Sequence, residues 1–407
     1  MKNIYFLLCL ATGICISSKA AVHVQTQADG NNYTGVLVSG STGAKYDIVF
    51  IGDGFRLQDQ ALFNTRVQDA LQALQNMIPY SQRTCALNVW RVNVLSTDAG
   101  VDHPFNNIFR NTELDCRYGN PTAGEAERCV TSSSPAKCYE AANYAPAYDA
   151  VFILVNDAQW GGCAGDLVFS SIAPGFAGII THELGHKIGS LADEYECYIC
   201  DGSDDNRTYS MSEPLAANIT KQTDRNLVKW KSYISASTPV PTVTDNPPGV
   251  VGLFEGGGYY RFAIYRPQMT CHMQTTGSAF CAVCRDEMLR LLLTRCLLRI
   301  DINKYKTYKQ PFWKIPWCCF CPLFDDFRTR VILPEINIRE FNAEVVDSRQ
   351  NVVAKGSVVN NQLQLEFDEK RGETYFVRLT SASGKYTGQE LTFKPQLQRN
   401  NQNVRLF

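Results

Sequence analysis

The sequence predicts an α/β unit followed by a small all-β one. Two patterns carry this expectation: apolar strands alternate with helical periodicity from Tyr46 to Ile188, and from about Asp325 apolar and polar residues alternate at period two. With 407 residues, at roughly 150 per domain, two or three folded units are expected. Apolar residues make up 45% and charged residues 19%, a globular rather than disordered balance. The formal net charge is -1 and Lys and Arg form no cluster, so a nucleic-acid partner is not expected.

Residues 1–20 read as a signal peptide. Lys2 supplies the positive start, Ile4 to Ile16 the apolar stretch, and Ser18-Lys19-Ala20 a small-x-small cleavage site. The mature chain is then expected to begin at Ala21 and to be secreted, outside the cell or into a periplasm. The later apolar run Met288 to Ile300 is interrupted by Arg290, Arg295 and Arg299, so no integral membrane segment is expected after signal removal. Of 16 cysteines, Cys9 and Cys15 leave with the signal; the even remainder suits disulfide pairing in an oxidising compartment.

Residues 21–45 form an N-terminal strand segment with a turn at Asp29-Gly30. The α/β domain is expected over 46–300. Tyr46 to Ile51 is an apolar strand closed by Gly52-Asp53-Gly54, and Leu62, Val67, Leu71, Leu74 and Ile78 mark a helix ended by Pro79. A strand follows at Asn88–Leu95. Asp98 to Tyr148 reads as a long loop pinned by Cys116, Cys129 and Cys138. Strands at Ala150–Val155 and Leu167–Ile172 lead into a helix at Phe176–Ile188. A Cys-rich connector at 301–324, with Cys318, Cys319 and Cys321, precedes a β-sandwich-like module at 325–407. Its strands are expected near Glu335–Val346, Leu363–Phe367, Tyr375–Leu379 and Glu390–Phe393.

The chemistry concentrates in His182-Glu183-Leu184-Gly185-His186. Two imidazoles four residues apart share one helical face and can reach one tetrahedral ion, for which zinc is expected. Glu183, beside them, is placed to take a proton from an attacking water and hand it to the leaving amine. A third ligand is needed. Gly189, in a left-handed conformation, would end the helix and bring Asp193, Glu194 and Glu196 back toward the metal; Asp193 is the expected ligand.

The stretch HELGHKIGSLADEYE at His182–Glu196 resembles the signature of the IgA-peptidase-type zinc metallopeptidases, named after a clostridial enzyme that cuts immunoglobulin A. DIVFIGDGF at Asp47–Phe55, VWRVNVLS at Val89–Ser96, GVDHP at Gly100–Pro104, YRPQMTCHM at Tyr265–Met273 and FCAVCRDE at Phe280–Glu287 extend the resemblance over about 250 residues. It implies hydrolysis of peptide bonds in protein or peptide substrates, with His182 and His186 as ligands and Glu183 as base. It also implies a metzincin-like fold, a twisted sheet plus active-site helix, with a methionine beneath the metal; Met273 fits that role better than Met269. Metzincins carry a histidine six residues after the second ligand, whereas here that position is Ala192 and the acid comes one later.

Three other features bear on function. The pairs Cys197–Cys200 and Cys281–Cys284 read as disulfides before a second metal site or a redox pair. Asn32, Asn206 and Asn218 each begin an Asn-x-Thr sequon. The alternative to a peptidase is a catalytically silent binding or adhesion protein on the same scaffold, which the intact Glu183 argues against.

Overall fold

The computed structural model describes residues 21–295 except 43–44, 197–205 and 244–248, and beyond them short segments between 301 and 393. The expected signal, the pair Cys197–Cys200 and the connector cysteines Cys318, Cys319 and Cys321 lie outside the described residues.

The centre is a six-stranded sheet. Its strands are β1 (Thr34–Val38), β2 (Tyr46–Asp53) and β3 (Leu87–Val92), then, beyond the short hairpin of β4 (Cys116–Arg117) and β5 (Thr131–Ser132), β6 (Ala150–Val155), β7 (Gly162–Ala164) and β8 (Leu167–Ser171). The order is β1-β3-β2-β6-β8-β7. β3, β2, β6 and β8 run parallel, with Ile48 opposite Val89 and Ala150; β1 and β7 close the edges antiparallel. Every residue of β2 and β6 is buried, as parallel strands covered on both faces require.

Period-two alternation divides the core. Ile48, Phe50, Phe152 and Leu154 point to one face, where they pack with α1 (Gln60–Asn76), α3 (Phe176–Gly189) and α4 (Ala282–Arg295). Val49, Ile51, Val151 and Ile153 point to the other, against Leu114, Tyr118 and α2 (Pro135–Ala142). The expected loop at Asp98–Tyr148 is thus partly ordered structure. It is fastened by the buried Asp53 carboxylate, which accepts from the Ser96 hydroxyl at 2.9 Å and from the backbone N–H groups of Leu114 and Cys116, each at 3.0 Å. Cys129 is bridged to Cys163, whereas Cys116 and Cys138 are buried thiols, so full pairing does not hold among the described residues.

α1 stops at Asn76, with Met77 extended, two residues before the end at Ile78 expected from the sequence. A second hairpin, β9 (Phe254–Gly257) and β10 (Tyr260–Arg266), stands apart from the central sheet. Beyond residue 300, β11 (Asp301–Lys306), β12 (Phe327–Leu333), β13 (Phe341–Asp347), β14 (Val352–Lys355), β15 (Ser357–Val359), β16 (Gln362–Glu369), β17 (Tyr375–Ser381) and β18 (Leu391–Phe393) pair into two four-stranded antiparallel sheets, ordered β11-β12-β16-β15 and β14-β13-β17-β18. No helix among the described residues is long and apolar enough to cross a membrane.

Candidate metal centre

α3 carries the histidines. It is more apolar than a surface helix because it lies between α1 and α4, and its glycines permit that closeness. A Cβ on Gly185 would stand 2.6 Å from Met273 Sδ, and one on Gly189 2.8 Å from Leu191. Gly189 is the last residue of the helix, and the left-handed residue that ends α3 is Ser190, at φ 47°. The expected turn exists, one residue later than read. Gly185→Ala should destabilise the fold by about 1–3 kcal/mol through overpacking, against the roughly 1 kcal/mol that alanine gains in a helix. Denaturant unfolding measures this; a more stable variant would show that the Met273 contact has slack.

Both imidazoles are held from behind. His182 Nδ1 lies 2.9 Å from the His272 carbonyl oxygen, and His186 Nδ1 lies 2.7 Å from that of Leu191. A carbonyl only accepts, so each Nδ1 donates its hydrogen, which directs both Nε2 atoms into one space. His182 Nε2 and His186 Nε2 are 3.2 Å apart there. Asp193 Oδ1 is 3.0 Å from the first and 3.3 Å from the second. Donors each about 2.0–2.1 Å from a tetrahedral ion stand roughly 3.3 Å apart, so these nitrogens and this oxygen fit a zinc-sized cation. One carboxylate oxygen of Glu183 lies within 4.8 Å of a ligand nitrogen of each histidine.

The three downstream acids point to different places. Only Asp193 enters the histidine pair. The Glu194 side chain turns into the protein and accepts from Asn218 Nδ2 at 2.9 Å, while Glu196 is half-exposed and accepts from Arg266 at 3.1 Å. Asn218 also grips the Ala192 backbone on both sides, accepting from its N–H at 2.9 Å and donating to its carbonyl at 2.8 Å. Asp193 Oδ2 accepts from the Tyr259 hydroxyl. Tyr259 was not singled out from the sequence, and Asn218 was read there only as the start of an Asn-x-Thr sequon, whereas its side chain is fully buried and held inside the protein. The run Gly256-Gly257-Gly258 before Tyr259 was an available signal: all three have positive φ, and a Cβ on Gly256 would collide with Glu196 at 2.6 Å. Met273, not Met269, is fully buried beneath α3. Cys281 and Cys284 are unbridged, contrary to the disulfide expected for that pair.

Charge follows from this packing. Burial alone would lower the His186 imidazole, but the bond to Asp193 and the charges of Asp193 and Glu183 carry it up to about 9. Burial would raise Asp193, and its two histidine partners hold it well below the ordinary carboxylate range instead. Burial is the main cause that lifts Glu183, offset in part by the histidines.

The model of the IgA peptidase M64 family matches this chain over residues 35–246 and 243–292, which span the central sheet, α3 and most of α4. The chain belongs to that family. It is accordingly a peptidase of a metallopeptidase family, acting on protein substrates. No curated protein matches the chain.

A proton and a cation compete for His186 Nε2. Because the imidazole is carried up to about 9, uptake of a divalent metal ion by this M64 peptidase at neutral pH should displace one proton there. Affinity should rise about tenfold per pH unit between roughly 7 and 9 and then level off. Calorimetry in buffers of different ionisation enthalpy counts the proton; uptake with no release at pH 7 would show that His186 is already neutral.

Proposed function

We propose that this M64 family member is a secreted zinc-dependent peptidase, hydrolysing peptide bonds in protein or peptide substrates at a centre formed by His182, His186 and Asp193. Secretion rests on the composition of residues 1–20. The metzincin-like arrangement is supported by a mostly parallel sheet beside a histidine-bearing helix, with Met273 beneath it. The strands beyond residue 300 support a separate all-β module.

The observation that carries the reading is the convergence of two Nε2 atoms and one carboxylate oxygen, each imidazole pinned at Nδ1 by a backbone carbonyl. When bound, zinc would polarise the scissile carbonyl and acidify the attacking water. Glu183 then accepts the proton of that water and returns it to the departing amine. Its affinity for a proton is raised by burial, which suits a group that must take up the proton of the attacking water. Asp193 keeps its negative charge throughout, because both histidines and the Tyr259 hydroxyl stabilise the anion.

Removing zinc from the mature protein with a chelator should abolish peptide cleavage, and returning zinc should restore it. A peptide library read by mass spectrometry reports both activity and cleavage preference. Full cleavage in excess chelator would overturn the zinc reading.

A further inference from the structure

A second cluster lies behind the histidine site and shares no residue with it. Cys271, Cys281, Cys284 and Glu194 are all buried, and four of their ligand atoms lie within 4.8 Å of one another. They come from three separate places: the segment just after Asp193, the loop that carries Met273, and the start of α4. Three thiols cannot all be satisfied by a disulfide, since any bridge leaves one over. None of the three is bridged.

The spacing suits a tetrahedral ion. Two sulfurs each about 2.3 Å from zinc stand roughly 3.8 Å apart, and a sulfur and a carboxylate oxygen about 3.5 Å. Cys271 Sγ and Cys284 Sγ are 3.7 Å apart. Glu194 Oε1 is 3.1 Å from Cys284 Sγ and 4.0 Å from Cys281 Sγ. The second oxygen of this carboxylate, Oε2, is buried with no hydrogen-bond partner among the described residues. A buried carboxylate among sulfurs with an orphaned oxygen is costly unless a cation joins it. Backbone N–H groups meanwhile point at the sulfurs: that of Cys281 donates to Cys271 Sγ at 3.3 Å, and that of Cys284 to Cys281 Sγ at 3.4 Å. Such donors offset thiolate charge.

We propose that Cys271, Cys281, Cys284 and Glu194 bind a second, structural zinc ion. Four protein ligands leave no open position, which separates this site from the histidine centre. The ion would clamp the segment carrying Asp193 to the loop carrying Met273. Those two chains already touch, the Glu194 N–H donating to the Met273 carbonyl at 2.8 Å. The His272 carbonyl that fixes His182 sits between Cys271 and Met273, so the clamp also sets one catalytic imidazole.

Zinc counting on the full mature chain tests this independently of the peptidase reading. The parent should hold about two zinc ions, and His186→Ala should retain one that resists chelation. Cobalt-loaded His186→Ala should show sulfur-to-metal charge-transfer absorption. Glu194→Gln should release this zinc at a chelator concentration at least about tenfold lower. Should a variant fail to fold, the parent itself decides: denatured in chelator without reductant and then alkylated, it should carry label on Cys271, Cys281 and Cys284, and a mercurial should release one zinc as those three thiols react. A disulfide joining any two of the three, or a His186→Ala protein that folds without zinc, overturns the proposal.

Discussion

Glu183→Gln should keep its zinc and its fold while turnover falls by about 10²–10⁴-fold, the range that a positioned general base supplies. The amide is nearly isosteric with the carboxylate, so packing in α3 is preserved. It cannot take a proton from water. The separation matters because other losses at this centre act through the metal: His186→Ala removes a ligand nitrogen and should lose zinc and activity together. Metal analysis beside steady-state kinetics distinguishes the two. A Glu183→Gln protein with parental turnover would assign the proton transfer elsewhere, and one that lost its zinc would make Glu183 a ligand or a fold determinant instead.

How much of this was readable beforehand depends on distance along the chain. β2, β6 and α3 were legible because their apolar residues recur at periods of two or 3.6 within a few residues, and the elements match the expected spans to within two residues. His182, Glu183 and His186 were legible for the same reason, since four residues of helix fix their shared face. Asp193 was within reach of one turn. What failed to show was whatever depends on folding. The eight-residue α2 was hidden among Gly, Pro and Ser, where local propensity is weak and packing on the sheet decides. Ser190 rather than Gly189 took the left-handed position because Gly189 is needed where Leu191 and Met288 press on the helix. Tyr259 reaches Asp193 across 66 residues, and Cys271 joins the Cys281–Cys284 pair with Glu194 only in three dimensions. No periodicity encodes such meetings. The expected export and the even cysteine count favoured a bridge for this CxxC pair, since nothing local announces a third thiol and a carboxylate.

Asp193→Ala should weaken zinc binding at the histidine centre by more than the about 10 to 100-fold that the loss of a supporting hydrogen bond costs. Asp193 Oδ1 stands 3.0 and 3.3 Å from the two Nε2 atoms, where only a shared cation or proton makes such closeness favourable. Tyr259→Phe removes the hydroxyl that orients the same carboxylate and should fall within that 10 to 100-fold range. Glu196→Ala should bind zinc as the parent does, because its carboxylate faces Arg266 and solvent. The pH of the titration changes the measured ranking. In the parent, Asp193 holds a proton on His186 up to about 9, and at pH 7 zinc must displace it at a cost of roughly 100-fold in affinity. Asp193→Ala removes the main partner of that proton, so burial pulls the imidazole down and the variant binds without this competition. At pH 7 the variant therefore looks less damaged than it is. Competition against a chelator of known affinity should show a larger loss at pH 9 than at pH 7, with the difference approaching that factor. If Glu196→Ala shows the greater loss, or if Asp193→Ala binds as the parent does at pH 9, the third ligand is a different residue.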